Sequence, residues 1–293
     1  MKKSRTYPTY MAFAAVLIYF TFLFLPGVLG IFYSFTDWNS FHADVNFVGL
    51  SNYRRIIAPN QKYMDYISHT AVFTMATTLA KSLVGVLLAL LLTYRLVAGK
   101  AIHRMAIFTP LVMSYLVVGL VFKSLLHPAT GFVNNALRGI GLDFLAKNWL
   151  SDASLALWTV ISVDTWKGVG YIMVVTIAGL KAISTTYYEA AEIDGASYWQ
   201  RFFHITLPLI WPTILTITIL NLTYGLRVFD IIYALTNGGP GHATDVINTA
   251  VFSAFSKGDY AMGTTLSTVL FAFVTAISYF LIKAMENKED ANS

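Results

Sequence analysis

Six stretches of mostly apolar residues constrain this chain more than any other feature. A helix rises about 1.5 Å per residue, so roughly 20 such residues cross a hydrocarbon core about 30 Å thick. The stretches fall near residues 11–35, 70–92, 105–126, 155–180, 207–235 and 261–282. Lipid offers no partner for backbone N–H and C=O groups, so each stretch must satisfy its own by folding as a helix. The expected fold class is therefore an all-α membrane protein with six transmembrane helices. The first stretch contains Pro26 and Gly27 and has no small-residue cleavage site, so it reads as a retained span and not as a leader.

Composition agrees, with 56% hydrophobic and only 12% charged residues, where a soluble domain has about a quarter charged. The net charge of +5 suits cytoplasmic loops facing a lipid bilayer and gives no reason to invoke nucleic acid. Without cysteine there is no disulfide framework and no thiolate metal site. The six histidines lack the i, i+4 spacing of helix-borne metal ligands, so no metal is expected. Gly99-Lys100 has no glycine five residues before it, so the chain has no phosphate-binding loop of the G-x-x-x-x-G-K-[ST] kind and no ATPase motif of its own. No set of side chains has the spacing of a catalytic triad, so no enzyme activity is expected.

An even number of spans puts both termini on one side. With the termini inside, ten lysines and arginines fall in inner segments and six in outer ones, and the inner connection 93–104 is short enough for the charge rule to apply. The expected layout is a cytoplasmic segment 1–10, one membrane domain 11–283 and a cytoplasmic tail 284–293, in a bacterial or archaeal cell membrane.

On the side expected to be cytoplasmic runs the loop 185–208, TTYYEAAEIDGASYWQRFFHITLP. Thr186 with Glu189, and Ser197 with Gln200, have capping-box spacing at two helix starts. Gly195 between them suits a positive φ, so a first short helix can end there and a second begin. Pro208 suits the start of the next membrane helix. Glu189-Ala190-Ala191, three residues, Gly195, nine residues, Ile205, one residue and Leu207-Pro208 resemble the EAA signature of ABC importer permeases. Residues 47–53 (FVGLSNY), 229–240 (FDIIYALTNGGP) and Gly258 to Gly263 extend the resemblance to the maltose-type carbohydrate-uptake branch, over about residues 10–283.

That resemblance implies a type I ABC importer fold with a cytoplasmic coupling helix. It also implies a second, related permease forming a heterodimer, two ATP-binding-cassette ATPases carrying ATP and Mg2+, and an extracellular or periplasmic solute-binding protein that delivers a sugar, oligosaccharide or sugar derivative. Coupling to the ATPase falls on Glu189, Ala190, Ala191, Asp194, Gly195, Ile205, Leu207 and Pro208. Positions matching Gly168 and Asn221 to Gly225 contact substrate in family members.

Ionisable residues inside a span are costly and face an interior, a cavity or an interface. Asp164 with Lys167, and Arg227 with Asp230, each lie three apart and form expected intrahelical pairs. Lys81 and Lys123 are expected to snorkel from span ends. Trp166, Lys167, Gly168, Asn221, Tyr224 and Gly225 combine aromatic faces with hydrogen-bonding groups, a mixture suited to a substrate pathway. The competing readings are an ion-gradient-driven secondary transporter with Asp164 or Asp230 carrying the ion, a permease for a non-sugar solute, and a membrane scaffold.

Overall fold

The computed structural model of the chain describes residues 10–59, 62–93 and 99–290. The expected N-terminal segment, save Tyr10, and the last three residues of the expected tail lie outside that set, as does Arg95. Among the described residues regular structure is helical, apart from one antiparallel bridge between Thr36 and Phe47.

The first apolar run is α1 (Tyr10–Tyr19), a π turn (Phe20–Phe24) and α2 (Leu25–Tyr33). The π turn has a local cause. Pro26 follows it, and a proline ring collides with the carbonyl four residues back in a regular α-helix. At this point the Leu25 N–H reaches instead to the Phe20 carbonyl, one residue further, which widens the turn ahead of the ring. After α3 (Ser51–Ile57) comes α4 (Tyr63–Thr93), a single long helix.

The third apolar stretch is not one straight helix. It divides into α5 (Lys100–Val112) and α6 (Tyr115–Leu125), bent by 101°. Pro110 supplies no amide for the last turn of α5, and Met113 and Ser114 are extended, with ψ of 140° and 149°. Ser114 then caps α6 by accepting the Val117 N–H.

The chain continues through α7 (Phe132–Gly139), α8 (Ala153–Ala182), α9 (Thr185–Ile193) and α10 (Tyr198–Arg201). A second π turn (Phe202–Thr206) leads into α11 (Leu207–Leu226). Together the last three form one unbroken helical run, Tyr198–Leu226. The expectation that Pro208 opens a new helix is thereby corrected. Leu207 bonds back to Phe202 just as Leu25 does to Phe20, so the widened turn carries the helix through the proline.

The fifth span ends at Leu226 and not at 235. Its last turn closes through the Arg227 and Val228 N–H groups, the Asn248 side chain donates to the carbonyls just past the end, Arg227 O (2.8 Å) and Val228 O (3.4 Å), and a separate α12 (Asp230–Leu235) follows. The remaining helices are α13 (Ile247–Ser256) and α14 (Tyr260–Asp290).

The chain forms two compact units. One contains residues 1–64 and 250–273, the other 65–249 and 274–293. In the first, the segment 47–53 that carries part of the family resemblance is structural. Buried Asn52 donates to the Ser34 and Thr36 carbonyls at 3.0 and 2.7 Å, and the Tyr53 and Ser34 hydroxyls lie 2.6 Å apart. Thr265 also donates to Ser34 O, and Ala261 N–H to Trp38 O. The carbonyls at the end of α2 are thus paired by side chains from distant parts of this unit.

Asp37 in the same loop accepts both the backbone N–H (2.7 Å) and the side-chain amide of Asn46. The backbone bond most, then the side-chain one, holds the carboxyl below its ordinary value of 3.8. A depressed carboxyl adds stability that is fully present above the ordinary value and lost as pH falls through the native one. Asp37→Asn should therefore remove an acid-dependent part of this loop's protection, measured by amide hydrogen exchange at Asn46 between pH 5 and 2.5. Identical pH profiles in the two proteins would show that the bond does not hold the loop.

In the second unit, small residues let helices approach closely, as they do where lipid supplies no hydrophobic drive for association. A Cβ on Gly119 would lie 2.6 Å from Ala234 Cβ and 2.9 Å from its carbonyl carbon. Gly170 abuts Ile107 O and Phe108 Cα, which seats α8 on α5. Phe73, Val118, Val160, Ile231, Ile232 and Val246 fill the apolar core beside these crossings.

Candidate coupling loop and buried polar site

The loop 185–208 forms a protruding helix followed by the start of a long one. Its N-cap is Ser184, whose hydroxyl accepts the Thr186 N–H, so the Thr186–Glu189 capping box expected from the sequence does not form. The helix starts two residues too early for it. As a result Glu189 is exposed and makes no hydrogen bond or ion pair among the described residues. The second box is present, with Ser197 and Gln200 each serving the other's backbone.

Between them the spacing of Ala191 and Gly195 has a physical reading. Ala196 N–H bonds to Ala191 O (2.9 Å), Gly195 N–H bonds to Glu192 O (3.1 Å), and Gly195 has φ of +75°. This is a Schellman end, which needs a residue tolerant of positive φ at that position. Asp194 is the last residue before it, still helical at φ −72°.

Among its described residues α9 buries no side chain, and Ile193 is 87% exposed. It is tied down by the Tyr188–Thr206 hydroxyl pair (3.0 Å) and by Arg201–Glu192 (3.4 Å). Ala190 is exposed as well, Ile205 and Leu207 are half-buried, and Pro208 is exposed. The result is a small helix with both ends fixed and no buried side chain among its described residues.

The intramembrane charges are not paired as the sequence suggested. Asp164 does not pair with Lys167. Lys81 Nζ donates to Asp164 Oδ2 at 2.5 Å, and the two side chains are 4% and 1% exposed. Lys81 therefore does not snorkel; it is a central buried group. The stripe Thr70, Thr74, Thr77, Thr78, Lys81 on one face of α4 was visible in the sequence and carried the missed signal.

The second Asp164 oxygen accepts the Tyr224 hydroxyl at 2.9 Å. That leaves the Tyr224 oxygen to accept from Tyr115, 2.7 Å away. Lys81 Nζ also lies 4.5 Å from the Tyr224 ring centroid. Lys167 turns elsewhere: its Nζ donates to Leu111 O at 3.0 Å and sits 4.2 Å over the Tyr115 ring. A cation on the last carbonyls of α5 is well placed against the helix dipole. One polar chain thus joins α4, α8, α11 and both halves of the bent span.

Arg227 and Asp230 are exposed and form no ion pair with each other among the described residues. The helix ends between them, so the i, i+3 geometry that would pair them is lost. Lys123 is exposed, as a snorkelling side chain would be.

Of the other expected pathway residues, Gly168 faces the Lys81 stem and Gly225 packs against Thr74 Cα. Asn221 is 9% exposed, and its Nδ2 has no hydrogen-bond partner among the described residues. Trp166 meets Phe122 edge-on at 5.1 Å, and with Trp149, Trp158, Thr159 and Ser162 it lines an open cavity of about 390 Å³.

The run of long apolar helices, with an exposed, doubly capped loop helix between two of them, is that of a multi-pass membrane protein. Residues 81–288 match the family described as binding-protein-dependent transport system inner membrane component. The chain is 33% identical to the probable ABC transporter permease protein YurN of Bacillus subtilis, over 94% of each. It is 33% identical to the multiple sugar-binding transport system permease protein MsmF of Streptococcus mutans, over 94% of this chain and 93% of that one. A solved bacterial alginate ABC transporter, in complex with an alginate pentasaccharide-bound periplasmic protein, superimposes with a TM-score of 0.81 at 25% identity, over 93% of this chain and 91% of that one. The chain belongs to this family and is a permease subunit of an ABC importer.

Proposed function

We infer that this permease takes up a sugar, oligosaccharide or sugar derivative handed over by an external solute-binding protein. The observation that carries the reading is α9, a helix built to be gripped from outside the chain. Two ATPase subunits, holding ATP and Mg2+, dock there, and a second related permease completes the pathway. Glu189 offers an uncommitted carboxylate to a basic side chain of the ATPase, and the Gly195 end fixes how α9 is presented. Both termini and this loop then lie in the cytoplasm, a placement the lysine and arginine asymmetry supports.

Substrate contacts fall on the tryptophan-lined cavity and on Asn221. Aromatic faces suit the C–H surfaces of sugar rings, and the unpartnered amide of Asn221 suits a hydroxyl. The relatives named for sugar and alginate transport support the substrate class. An ion-driven mechanism that uses Asp164 is disfavoured because its carboxylate is held by Lys81 and Tyr224.

Uptake of radiolabelled oligosaccharide by proteoliposomes containing the whole importer and its binding protein tests the reading. Glu189→Arg should abolish ATP-dependent uptake and release the ATPase from the purified complex, while the chain still inserts. Gly195→Val should do so partially: its Cβ meets nothing within 4 Å, but positive φ costs a β-branched residue about 1–2 kcal/mol. Uptake that persists without ATP, or is unaltered in Glu189→Arg, would refute the assignment.

A further inference from the structure

We propose that Tyr224 is a positioning residue that ties the far end of the coupling-loop helix to the break in the third span, so that movement of the loop changes the bend between α5 and α6. The proposal rests on the ATPase-driven reading above and adds the route by which the drive reaches the membrane interior.

The geometry is continuous. The helical run Tyr198–Leu226 starts in the coupling loop, immediately after the Ser197 cap, and holds Tyr224 in its last turn. At about 1.5 Å per residue, Tyr198 and Tyr224 are about 39 Å apart. A helix of that length behaves as a stiff element whose ends move together. Along the way α11 is seated closely, because a Cβ on Gly179 of α8 would meet the Thr213 side chain at 2.5 Å and one on Gly225 would meet Thr74 Cα at 2.8 Å.

At the inner end, the Tyr224 hydroxyl is fixed by Asp164 on one side and Tyr115 on the other. Tyr115 is the first residue of α6, directly after the break. Leu111, whose carbonyl Lys167 holds, is near the end of α5, directly before it. Lys167 also lies over the Tyr115 ring. Both lips of the 101° bend are therefore gripped by α8, and among the described residues the side-chain hydrogen bond to α11 comes from the α6 lip, through Tyr115. Displacing α11 pulls on Tyr115 while Lys167 keeps Leu111 in place. The bend opens or closes accordingly.

A residue needed only for packing would not give this asymmetry. Tyr224→Phe keeps the ring and its contact with Lys81 but removes the hydroxyl. Tyr115→Phe removes the bond to α11 and leaves Tyr224–Asp164 intact. Both should separate loop movement from the bend.

The chain has no cysteine, so nitroxides can be placed on Cys substitutions of exposed Ile102 in α5 and Leu120 in α6 of this chain, with partner subunits whose own cysteines are replaced or blocked. The complex purified through this chain in nanodiscs is compared without nucleotide and trapped with MgATP and vanadate. In the parent, the interspin distance should change on trapping. In Tyr224→Phe and Tyr115→Phe the change should disappear while ATP hydrolysis continues, and uptake per ATP should fall about tenfold or more, as loss of a hydrogen bond linked to a charged group implies.

If both variants keep the full distance change and normal uptake per ATP, the link does not exist. If the parent itself shows no nucleotide-dependent change while hydrolysing ATP, the bend is not a moving part and the proposal falls with the ATPase-driven reading intact. If the parent neither binds nor hydrolyses ATP, that underlying reading fails as well. Should Tyr224→Phe fail to assemble, Tyr115→Phe decides alone, since Asp164 keeps its partners in that variant.

Discussion

Asp164→Ala is expected to be among the most damaging single changes in this protein, at about 3–5 kcal/mol, because removing one partner of a buried ion pair leaves the other charge uncompensated. Here the loss is compounded. Lys81, Lys167 and the Tyr224 hydroxyl all surround the position, and Asp164 is the carboxylate that holds Lys81 and Tyr224. The two lysines would then face each other with only carbonyl and ring partners. Unfolding by SDS titration of the solubilised protein would show a lower midpoint, and the yield of monodisperse complex would drop. The double variant Lys81→Met, Asp164→Ala should recover much of the loss, since deleting both charges avoids the stranded cation. A double variant as unstable as Asp164→Ala alone would show that the carboxylate matters for reasons other than its charge.

Gly225→Val should rank close to it, for a steric reason. The added Cβ lies 2.8 Å from Thr74 Cα and 2.9 Å from its side chain. The first of these is backbone of α4 and cannot swing away, so α11 must shift. Overpacking of this kind costs about 1–3 kcal/mol, and the shift falls next to Tyr224, so uptake should fall more than stability does. Gly225→Ala should show a smaller effect of the same sign, read in the same SDS titration alongside transport. Normal transport in Gly225→Val would mean that α4 and α11 are not in contact during the cycle.

The coupling loop was legible because its physics is local. A positive-φ glycine four residues after Ala191, and a serine three residues before Gln200, state the helix end and the helix start within a few residues of each other. The class of the apolar helices, and five of the six as single spans, were legible for the same kind of reason: hydrophobic length is a property of a contiguous stretch.

Pairing inside the membrane was not legible. Spacing along one helix offered Lys167 to Asp164, yet Lys81, 83 residues away, takes the carboxylate. Which cation wins depends on which helix faces α8 at that depth, and helix contact is decided by small-residue crossings such as Gly168 against the Lys81 stem. The 101° break likewise needed the tertiary structure. Pro110 weakens a helix there, but a proline in a membrane helix can be absorbed by a π turn, as Pro26 and Pro208 are. The sequence by itself determined that this chain is a helical membrane permease with a loop helix closed by a positive-φ glycine, since those properties come from residues adjacent in the chain. Only the packing of α4, α6, α8 and α11 decided that its buried charges form one chain across four helices, because electrostatic partners in a low-dielectric interior are chosen by distance in space.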